Sequence, residues 1–367
     1  MKECFLKNTL RALIAMSGGV DSSVAALLMK EAGYDCTGAT MRLYRPAAFQ
    51  CENPKGCCSD RDEDDAAFVC HQLGVPHESV CFSRIFEQRV IRRFILEYEA
   101  GRTPNPCIDC NRYLKFDALL ENALREGFDC IATGHYARVR FSEDAGRWQL
   151  LKAVDEGKDQ SYVLYMLTQE QLAHLRLPLG GLSKAETRQI AEAHGLVNAA
   201  KHDSQDVCFI PDGDYPAFIE GWTGRKQEAG DFLDENGRVV GRHRGALRYT
   251  VGQRRGLKLP MGERVYVVGK DMARNSVTVG PESALYRREL IAAGFNWLSI
   301  PEPVEPIRAT VRTRYRQAER PATVYSLPQN KVRIVFDEPQ RAITPGQAAV
   351  LYDGELVLGG GTIESVC

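Results

Sequence analysis

The 367-residue sequence contains no long hydrophobic run. A membrane-spanning helix needs about 18 or more consecutive apolar residues, and no such stretch occurs. The amino-terminal MKECFLKNTLRALIAM has neither the apolar core nor the cleavage site of a secretory signal peptide. Internal repeats and low-complexity segments are also missing. These absences predict a cytoplasmic globular protein with no membrane partner, long enough for two or three domains.

The sequence also has almost no net charge, because 47 Lys and Arg residues oppose 48 Asp and Glu residues. The distribution is uneven: residues 1–210 carry 25 basic and 29 acidic residues, and residues 211–367 carry 22 and 19. Within Arg238–Arg274 there are ten basic residues and two acidic ones, Glu263 and Asp271. Such a stretch is either an ordinary solvated surface or a surface that binds a polyanion.

Cysteine, in contrast, is plentiful, with twelve residues. In a cytoplasmic protein, cysteines are more often free thiols, metal ligands or catalytic groups than members of structural disulfides. Core packing is expected for the four cysteines in apolar strand or helix patterns, namely Cys36, Cys70, Cys81 and Cys130. A loop contains three more, Cys51, Cys57 and Cys58. Since no companion pair stands at zinc spacing, a metal clip and plain reduced thiols both stay open for this loop.

Three further cysteines occupy segments rich in polar residues and turns. Cys107 and Cys110 follow the prolines of GRTPNP, and Cys208 lies in KHDSQDVCFI. The prolines predict that the first two lie in a loop, where a thiol is accessible enough to act as a nucleophile. From these residues alone the Cys107–Cys110 pair could be a redox pair, half of a zinc site, part of an iron–sulfur site, or a nucleophile with a neighbour.

Apolar strand patterns alternate with helical patterns over roughly the first 200 residues. Strands are predicted at 12–16, 36–43, 77–82 and 129–132. Helices are predicted at 21–30, 60–73, 85–98, 114–125 and 183–194. Ser183, with Glu186 three residues later, forms a capping box at the start of the last helix. The alternation predicts a parallel sheet covered on both faces.

After about residue 210 the pattern changes to short strands. Asn236-Gly237 predicts one hairpin, and the apolar stretches 265–268 and 277–279 predict a second. From residue 306, alternating residues between Gly and Pro turns predict a small β-barrel. The expected fold is therefore α/β, with an amino-terminal parallel-sheet domain (1–210), a small central domain (211–280) and a carboxyl-terminal β-barrel (281–367).

The loop SGGVDSS, residues 17–23, connects the first strand to the first helix. Its glycines let the backbone turn tightly and present N–H groups to an anion, and the helix amino terminus adds a partial positive charge. The loop is not a Walker A motif, because GxxxxGK[ST] is absent. Asp21 is unusual in a bare phosphate loop, and fits better if Mg²⁺ bridges it to a polyphosphate. The alternative is an ordinary strand–turn–helix in which Asp21 caps the helix.

SGGVDSS behind a hydrophobic strand resembles the PP-loop of the ATP pyrophosphatases, whose domain is adenine nucleotide alpha hydrolase-like. This resemblance implies ATP with Mg²⁺, cleavage to AMP and pyrophosphate, and adenylation of a carbonyl-type oxygen.

The resemblance extends along the chain. AMSGGVDSS, GRTPNPxxxCN, ATGHYAR, KDQSYVLY, KHDSQDVCFI, YTVGQRRGL, VRTRYRQ and TPGQAAVLY resemble, in order, the motifs of the tRNA-specific 2-thiouridylases, from residue 15 to about 360. That family places sulfur on the wobble uridine of certain tRNAs. The resemblance implies tRNA as partner, and a sulfur-donor protein that is a cysteine desulfurase or a relay.

The resemblance also implies the roles of individual residues. ATP would be bound by Ala15, Met16, Ser17, Gly18, Gly19, Val20, Asp21, Ser22, Met41 and Gly134. The target base would face Asn105, Pro106 and Cys107. The tRNA would contact His135, Lys158, Asp159, Gln160, Arg314, Tyr315 and Gln347. Cys110 would be the nucleophile and Cys208 the persulfide carrier. Cys110 would either reduce the persulfide to free sulfide or displace the sulfur by forming a disulfide with Cys208.

One position departs from the family pattern, since many members have Asp where this chain has Cys107. Three thiols, Cys107, Cys110 and Cys208, are also the pattern by which related tRNA thiolases hold a [4Fe–4S] cluster. The sequence therefore leaves two sulfur routes open, a persulfide relay and a cluster-bound sulfide. A PP-loop synthetase acting on a small molecule and a nucleotide-regulated redox sensor are the rival functions. Which tRNAs are used, which donor loads the sulfur, and the oligomeric state do not follow from the sequence.

Overall fold

The computed structural model of the chain describes residues 9–43, 60–201, 207–210 and 212–367. The described residues form two compact units. Unit 1 lies within Met1–Arg89, Cys107–Pro211 and Glu355–Val357. Unit 2 lies within Val90–Pro106, Asp212–Gly354 and Leu358–Cys367. Cys51, Cys57 and Cys58 lie outside the described residues.

Unit 1 is built on a five-stranded parallel sheet, as the alternation of strands and helices predicted. The strands of this unit are β1 (Arg11–Ala15), β2 (Asp35–Arg42), β3 (His77–Cys81), β4 (Cys130–Ala132), β5 (Ala137–Ser142), β6 (Arg147–Lys152) and β7 (Leu175–Arg176). The sheet has the order β3-β2-β1-β4-β7, and its neighbouring strands are parallel. Ala12, Leu13 and Ile14 of the central strand β1 are fully buried, as expected for a parallel sheet covered on both faces. The hairpin β5–β6 was not predicted.

The helices include those predicted, most of them with small shifts at their ends. They are α1 (Val20–Glu31), α2 (Asp60–Gln72), α3 (Ser83–Phe86), α4 (Arg92–Glu99), α5 (Pro106–Cys110), α6 (Leu119–Arg125), α7 (Gln169–Ala173), α8 (Lys184–Ala193) and α9 (Tyr215–Thr223). Two π-helical segments, Glu87–Ile91 and Asn111–Ala118, join α3 to α4 and α5 to α6. Short 3₁₀ turns lie at Ser161–Val163, Ala246–Arg248 and Glu282–Leu285.

The prediction that Cys107 and Cys110 lie in a loop is wrong. Pro106 opens helix α5, and both cysteines lie on it. The physical reason is that proline suits the first turn of a helix, where its missing N–H would have no partner and its fixed φ is already helical. The helical run therefore begins at Pro106, eight residues before the predicted start at 114.

The middle of unit 2 is a four-stranded sheet with the order β10-β11-β8-β9. Its strands are β8 (Gly230–Leu233), β9 (Val239–His243), β10 (Tyr266–Asp271) and β11 (Ser276–Gly280). β8 with β9, and β10 with β11, pair antiparallel, which confirms both predicted hairpins. Phe232, Val267 and Val277 are fully buried at its core.

The carboxyl-terminal strands close into the predicted barrel. They are β12 (Tyr286–Trp297), β13 (Ile307–Arg312), β14 (Arg320–Leu327), β15 (Lys331–Arg341), β16 (Ala348–Asp353) and β17 (Leu356–Val366). Their order is β12-β15-β14-β13-β16-β17, and β12 also pairs with β17, so the sheet closes on itself. Closure removes the exposed edges that an open antiparallel sheet would have.

Among the described residues, no helix is both long enough and apolar enough to span a bilayer.

Candidate functional site

The loop after β1 has the geometry of an anion-binding turn. Gly18 has φ +70°, and a Cβ there would lie 2.2 Å from the carbonyl oxygen of Asp62, so only glycine fits. Gly19 occupies the position before α1 and offers no side chain to cap the helix. Within the loop, the Ser22 hydroxyl donates to the Gly19 carbonyl at 3.0 Å. The first N–H groups of α1 are thereby left to an external acceptor, as in other phosphate-binding helix termini.

The loop is fixed from behind by two residues that sequence reasoning missed. The carbonyl of Gly18 accepts from Asn198 Nδ2 at 3.1 Å and from Lys201 Nζ at 3.0 Å. Lys201 also pairs with Asp62 at 2.6 Å and with Asp65 at 2.7 Å. Burial alone would lower the pKa of Lys201, but the two carboxylates raise it above its ordinary value. A permanently charged lysine therefore ties the glycine turn to helix α2.

Asp21 is held by a buried lysine that sequence reasoning also missed. Lys184 Nζ lies 2.7 Å from Asp21 Oδ1, and the Tyr136 hydroxyl donates to the same oxygen at 2.9 Å. The Lys184 side chain is only 11% exposed. Lys184 is the first residue of α8, directly after the capping box that Ser183 forms with Glu186. The predicted cap was thus the sequence signal nearest to this residue.

Gly134 brings the ATGHY motif against the same loop. A Cβ on Gly134 would lie 2.7 Å from the carbonyl carbon of Asp21 and 2.8 Å from the amide nitrogen of Ser22. The next residue, His135, is 8% exposed, and its Nδ1 lies 2.7 Å from the Thr133 hydroxyl. Burial and the charge of Lys115 hold the pKa of His135 well below its usual range, so the ring is neutral at neutral pH.

Met41, an expected ATP contact, lies on β2, which runs parallel to β1. The next residue, Arg42, ends β2 and pairs with Glu63, with 2.6 Å between Arg42 Nη2 and Glu63 Oε1. Glu63 also accepts from the Ser79 hydroxyl at 2.6 Å. The hydrogen bonds from Arg42 and Ser79 lower the pKa of Glu63 to about 2. This ion pair fixes the end of β2 that carries Met41.

The three candidate thiols lie on two segments, and α3 contacts both. Cys107 is exposed, whereas Cys110 and Cys208 are partly exposed. The π-helical segment after Cys110 packs against α3. Phe209, the residue after Cys208, packs edge-to-face on Phe86 of α3 with 5.5 Å between ring centroids. The structure therefore anchors the two cysteine-bearing segments on one short helix of unit 1.

The prediction that Cys81 packs in the core is wrong. Cys81 is exposed at the end of β3, and its Sγ lies 3.3 Å from the Ser83 hydroxyl. The hydrogen bonds from Ser83 lower the pKa of Cys81. The reason for its exposure is its position on the last residue of an edge strand, where the apolar pattern ends. The other three cysteines expected in the core are buried: Cys36, Cys70 and Cys130.

Several residues expected at the tRNA surface of unit 1 make internal hydrogen bonds. Asp159 is 5% exposed and accepts from the backbone N–H groups of Ala153 and Ser161. Gln160 Oε1 accepts from the backbone N–H of Tyr136 at 2.9 Å. Lys158 is partly exposed. Asp159 and Gln160 thus fix a turn that supports the ATGHY motif.

In unit 2, two other expected tRNA residues bind backbone. Arg314 Nη2 donates to the carbonyl of Val251 at 3.2 Å and to that of Ala342 at 2.9 Å. Gln347 Nε2 donates to the carbonyl of Thr103 at 2.8 Å. The Thr103 N–H in turn donates to the Pro345 carbonyl at 2.9 Å.

These bonds hold the GRTPNP segment against the barrel loop. Asn105 of that segment is partly exposed and Pro106 is buried. Tyr315, beside Arg314, is partly exposed.

The residues present do not fit a cluster held by three thiols. Outside the gaps at 1–8, 44–59, 202–206 and 211, no three His, Cys, Asp or Glu side chains form a group that could hold a metal ion. Cys107, Cys110 and Cys208 are all among the residues covered by that statement.

Three family models together match most of the chain. They are described as the tRNA methyl transferase HUP domain (residues 10–212), the tRNA methyl transferase PRC-barrel domain (217–281) and the aminomethyltransferase beta-barrel domain (287–363). Although the descriptions name methyl transfer, the relatives reported below carry the name of a thiolating enzyme.

Solved structures give weaker likenesses. A 4-thiouridine synthetase–RNA complex with bound ATP has a TM-score of 0.36 at 16% identity, covering 59% of this chain and 50% of that chain. An NMN synthetase from Francisella tularensis has a TM-score of 0.34 at 16% identity, covering 61% and 81%.

Relatives match over nearly their full length. The "tRNA-specific 2-thiouridylase MnmA" of Moorella thermoacetica is 50% identical, covering 96% of this chain and 99% of the relative. The proteins of the same name from Acetivibrio thermocellus and Carboxydothermus hydrogenoformans are 46% and 48% identical, each covering 96% of this chain. The chain belongs to the tRNA-specific 2-thiouridylase family, whose members are tRNA-uridine 2-sulfurtransferases.

Proposed function

We propose that this chain catalyses the ATP-dependent 2-thiolation of the wobble uridine of tRNA, with the sulfur carried as a persulfide on Cys208. The observation that supports this most is the convergence on Asp21. Its backbone lies against Gly134, and its carboxylate is held by Lys184 at 2.7 Å, at the start of the phosphate loop's helix. Relatives that match over nearly their whole length are named tRNA-specific 2-thiouridylases. The three domains proposed from the sequence, 1–210, 211–280 and 281–367, would divide catalysis from tRNA binding.

ATP would bind where the loop and helix α1 meet. Residues 15–22 would surround its phosphates, and Met41 and Gly134 would flank the nucleotide. The backbone N–H groups at the start of α1 would donate hydrogen bonds to the phosphate oxygens, helped by the partial positive charge of the helix terminus. Mg²⁺, bound by the phosphates and by Asp21, would neutralise charge on the leaving pyrophosphate. Lys184 would hold the Asp21 carboxylate in one rotamer.

The first chemical step is adenylation of the target base. The C2 oxygen of uridine attacks the α-phosphorus of ATP, so that a new P–O bond forms and the bond to pyrophosphate breaks. The step converts a poor leaving group, the carbonyl oxygen, into AMP. A loop held rigid by Asn198 and Lys201 supplies its hydrogen-bond donors without rearrangement, which is the condition for electrostatic stabilisation of the developing charge.

The second step delivers sulfur to C2. In one form, the terminal sulfur of the Cys208 persulfide attacks C2 and AMP leaves, and the Cys110 thiolate then attacks Cys208 to break the S–S bond. In the other form, Cys110 first releases free sulfide, which attacks C2 itself. Both forms end with a Cys110–Cys208 disulfide, two electrons having passed to the transferred sulfur, and an external thiol must then reduce it. A sulfur-donor protein would reload Cys208.

Recognition of tRNA would involve the residues implied by the family resemblance in two different ways. Lys158 and Tyr315, which are partly exposed, would contact the RNA directly. The others would act mainly by holding backbone in place, since their polar atoms already bind protein groups: His135, Asp159, Gln160, Arg314 and Gln347. Asn105, Pro106 and Cys107 would face the target base.

The decisive experiment is a reconstituted reaction with unmodified tRNA, ATP, Mg²⁺ and a persulfide donor. Mass spectrometry of the nucleosides should show 2-thiouridine at the wobble position, and AMP and pyrophosphate should form only when tRNA is present. Cys208→Ser and Cys110→Ser should each abolish 2-thiouridine while leaving one equivalent of pyrophosphate release, because adenylation needs neither thiol. Wild-type protein that makes no 2-thiouridine would contradict the proposed function.

Iron analysis of the same preparation addresses the sulfur route. Protein prepared anaerobically should be fully active with no bound iron and no absorbance near 400 nm. Activity that requires iron would favour the cluster route over the persulfide.

A further inference from the structure

Two π-helical segments meet beside the proposed nucleophile. They are Glu87–Ile91, after α3, and Asn111–Ala118, directly after Cys110. π-helical turns are rare and occur frequently at functional sites, because the extra residue per turn displaces side chains from their helical positions. The second segment packs against α3. Both segments place a residue in one cluster, which we call the Tyr113 cluster: Arg89, Arg112 and Tyr113.

The Tyr113 cluster is a cation–π arrangement. The guanidinium carbon of Arg89 lies 5.5 Å from the centroid of the Tyr113 ring, and that of Arg112 lies 5.9 Å from it. Arg89 is exposed, and Arg112 and Tyr113 are partly exposed. Planar guanidinium groups and an aromatic ring in one exposed cluster match the chemistry that binds unpaired RNA bases by stacking and their phosphates by charge-assisted hydrogen bonds.

The charges around the Tyr113 cluster favour the binding of a negatively charged ligand. Lys115 on the same π-helical segment is partly exposed and Arg84 on α3 is exposed. The acidic residues on these elements are Glu87, which is partly exposed, Asp117, which is exposed, and Asp109, which is only 6% exposed. These elements therefore carry four basic residues and two acidic residues of appreciable exposure. Basic residues are in excess here, whereas acidic residues are in excess over residues 1–210 as a whole.

The short separation between Cys110 and Tyr113 along the chain relates the Tyr113 cluster to the reacting base. Tyr113 follows Cys110 by three residues, in the π-helical segment that begins directly after Cys110, so the two residues lie within one turn of each other along the helix. A uridine presented to Cys110 therefore brings an adjacent nucleotide of the same strand toward Tyr113.

We propose that the Tyr113 cluster binds a nucleotide next to the target uridine in the anticodon loop. Its base stacks on the Tyr113–arginine face, and its phosphate pairs with Arg89. This inference rests on the proposed function, since it requires that the target uridine reach Cys110. It adds a contact site for the flanking nucleotide that the sequence motifs do not assign.

The test is a double-mutant cycle between protein and RNA. Tyr113→Leu should weaken the Kd for full-length tRNA by roughly tenfold, the usual effect of losing one aromatic stack. Tyr113→Phe, which keeps the ring, should recover most of that loss. Two transcripts are compared, one with an abasic nucleotide on the 5′ side of the target uridine and one with it on the 3′ side. Only one of the two should bind the wild-type protein more weakly. With that transcript, Tyr113→Leu should cause no further loss, because the stack is already absent.

Arg89→Gln gives an independent measurement on an exposed side chain. It should reduce the slope of log K against log salt by about one. Matched controls come from the same unit: Phe68→Leu removes an aromatic side chain that is 56% exposed on α2, and Arg125→Gln removes an exposed arginine on α6. Both controls should bind tRNA as the wild type does.

The outcomes separate this site from the proposed function. If wild-type protein thiolates tRNA but Tyr113→Leu and Arg89→Gln bind like the wild type, the flanking-nucleotide site is wrong and the function stands. If the losses from Tyr113→Leu and from both abasic transcripts simply add, Tyr113 does not stack on either neighbour. If wild-type protein forms no 2-thiouridine at all, the function itself fails.

Discussion

Asp21 owes its position to side chains from two distant parts of the chain. Lys184 and Tyr136 both donate to its Oδ1, and the Tyr136 hydroxyl also lies 3.0 Å from the Thr187 hydroxyl of α8. The Lys184 side chain is 11% exposed and that of Asp21 is 32% exposed, so the ion pair is only partly shielded from solvent. Removal of one partner from such a pair leaves an uncompensated charge, which costs more than the pair itself contributes. The two donors therefore hold the carboxylate at one place beside the phosphate loop.

Gly134 offers the sharpest residue-level test of that arrangement. In Gly134→Ala the new methyl group would lie 2.7 Å from the carbonyl carbon of Asp21, so the phosphate loop must move by several tenths of an ångström. A shift of about 1 Å in a reacting group can cost about 100-fold in rate, so this smaller shift should lower kcat/KM for ATP by roughly tenfold. AMP formation in the presence of tRNA measures it.

The matched control for that substitution is Gly181→Ala, because a Cβ at Gly181 meets nothing within 4 Å. It should keep wild-type activity. Equal activity of the two alanine variants would show that the close approach of Gly134 to Asp21 is not needed.

At the residue scale, the sequence could predict those site residues that belong to a local motif. Gly18, Asp21 and Gly134 stand in strings whose glycines and serines indicate a phosphate loop or its neighbour. Lys184 and Lys201 could not be found in this way, because they reach the loop from 163 and 183 positions away. No local pattern encodes such contacts, since they depend on how helices pack on the finished sheet.

Helix α8 shows how an element can position a site. Its capping box fixes the first turn, and the first residue of that turn is Lys184. Ser183→Ala should destabilise the protein by about 1 kcal/mol, because the N–H of Glu186 loses its acceptor. It should also lower kcat/KM for ATP, because the fraying of the first turn moves Lys184 away from Asp21.

A second capping box in the same unit provides the control. Thr168 caps α7 in the same way, with Gln171 as its partner. Thr168→Ala should lose similar stability, measured by urea denaturation, with little effect on activity. If both variants lose activity equally, the effect of Ser183→Ala is only on general stability.

At the element scale, periodicity and caps predicted the sheet, the Ser183 box and both hairpins. They did not predict the two π-helical segments, because a π turn has the same residue types as an α turn and arises from packing. They also misplaced the start of the helix that carries Cys107 and Cys110. Proline indicates a turn and a helix start equally well, and only the chain that follows Pro106 decides between them.

Stability at the scale of the whole chain should depend on pH through Lys270. Its Nζ is buried with no hydrogen-bond partner among the described residues, and burial lowers its pKa to about 8 from 10.5. Below about pH 8 the folded protein must hold an unpaired buried charge, so stability is reduced there. The penalty disappears as the pH rises from 8 toward 10.5, because the unfolded chain binds more protons than the folded one in that window.

Lys270→Met should therefore stabilise the protein at pH 7 by about 2 kcal/mol, with the gain shrinking by pH 10. Urea denaturation at both pH values measures the free energy of unfolding. Lys226→Met, at an exposed lysine, should leave the free energy of unfolding unchanged at both pH values. A gain that is the same at pH 7 and pH 10 would show that Lys270 acts through packing and not through its charge.

The basic stretch of the central sheet makes a prediction about the whole complex with tRNA. Eight of the ten basic residues in Arg238–Arg274 are exposed, the exceptions being Arg248 and Lys270. If this surface binds the phosphate backbone, log K for tRNA should fall linearly with log salt, because each neutralised phosphate releases a counterion. Arg254→Gln and Arg255→Gln should each reduce the slope by about one, whereas Arg61→Gln, exposed on α2, should leave it unchanged. A plot with no slope, or one that responds equally to all three substitutions, would place the docking surface elsewhere on the protein.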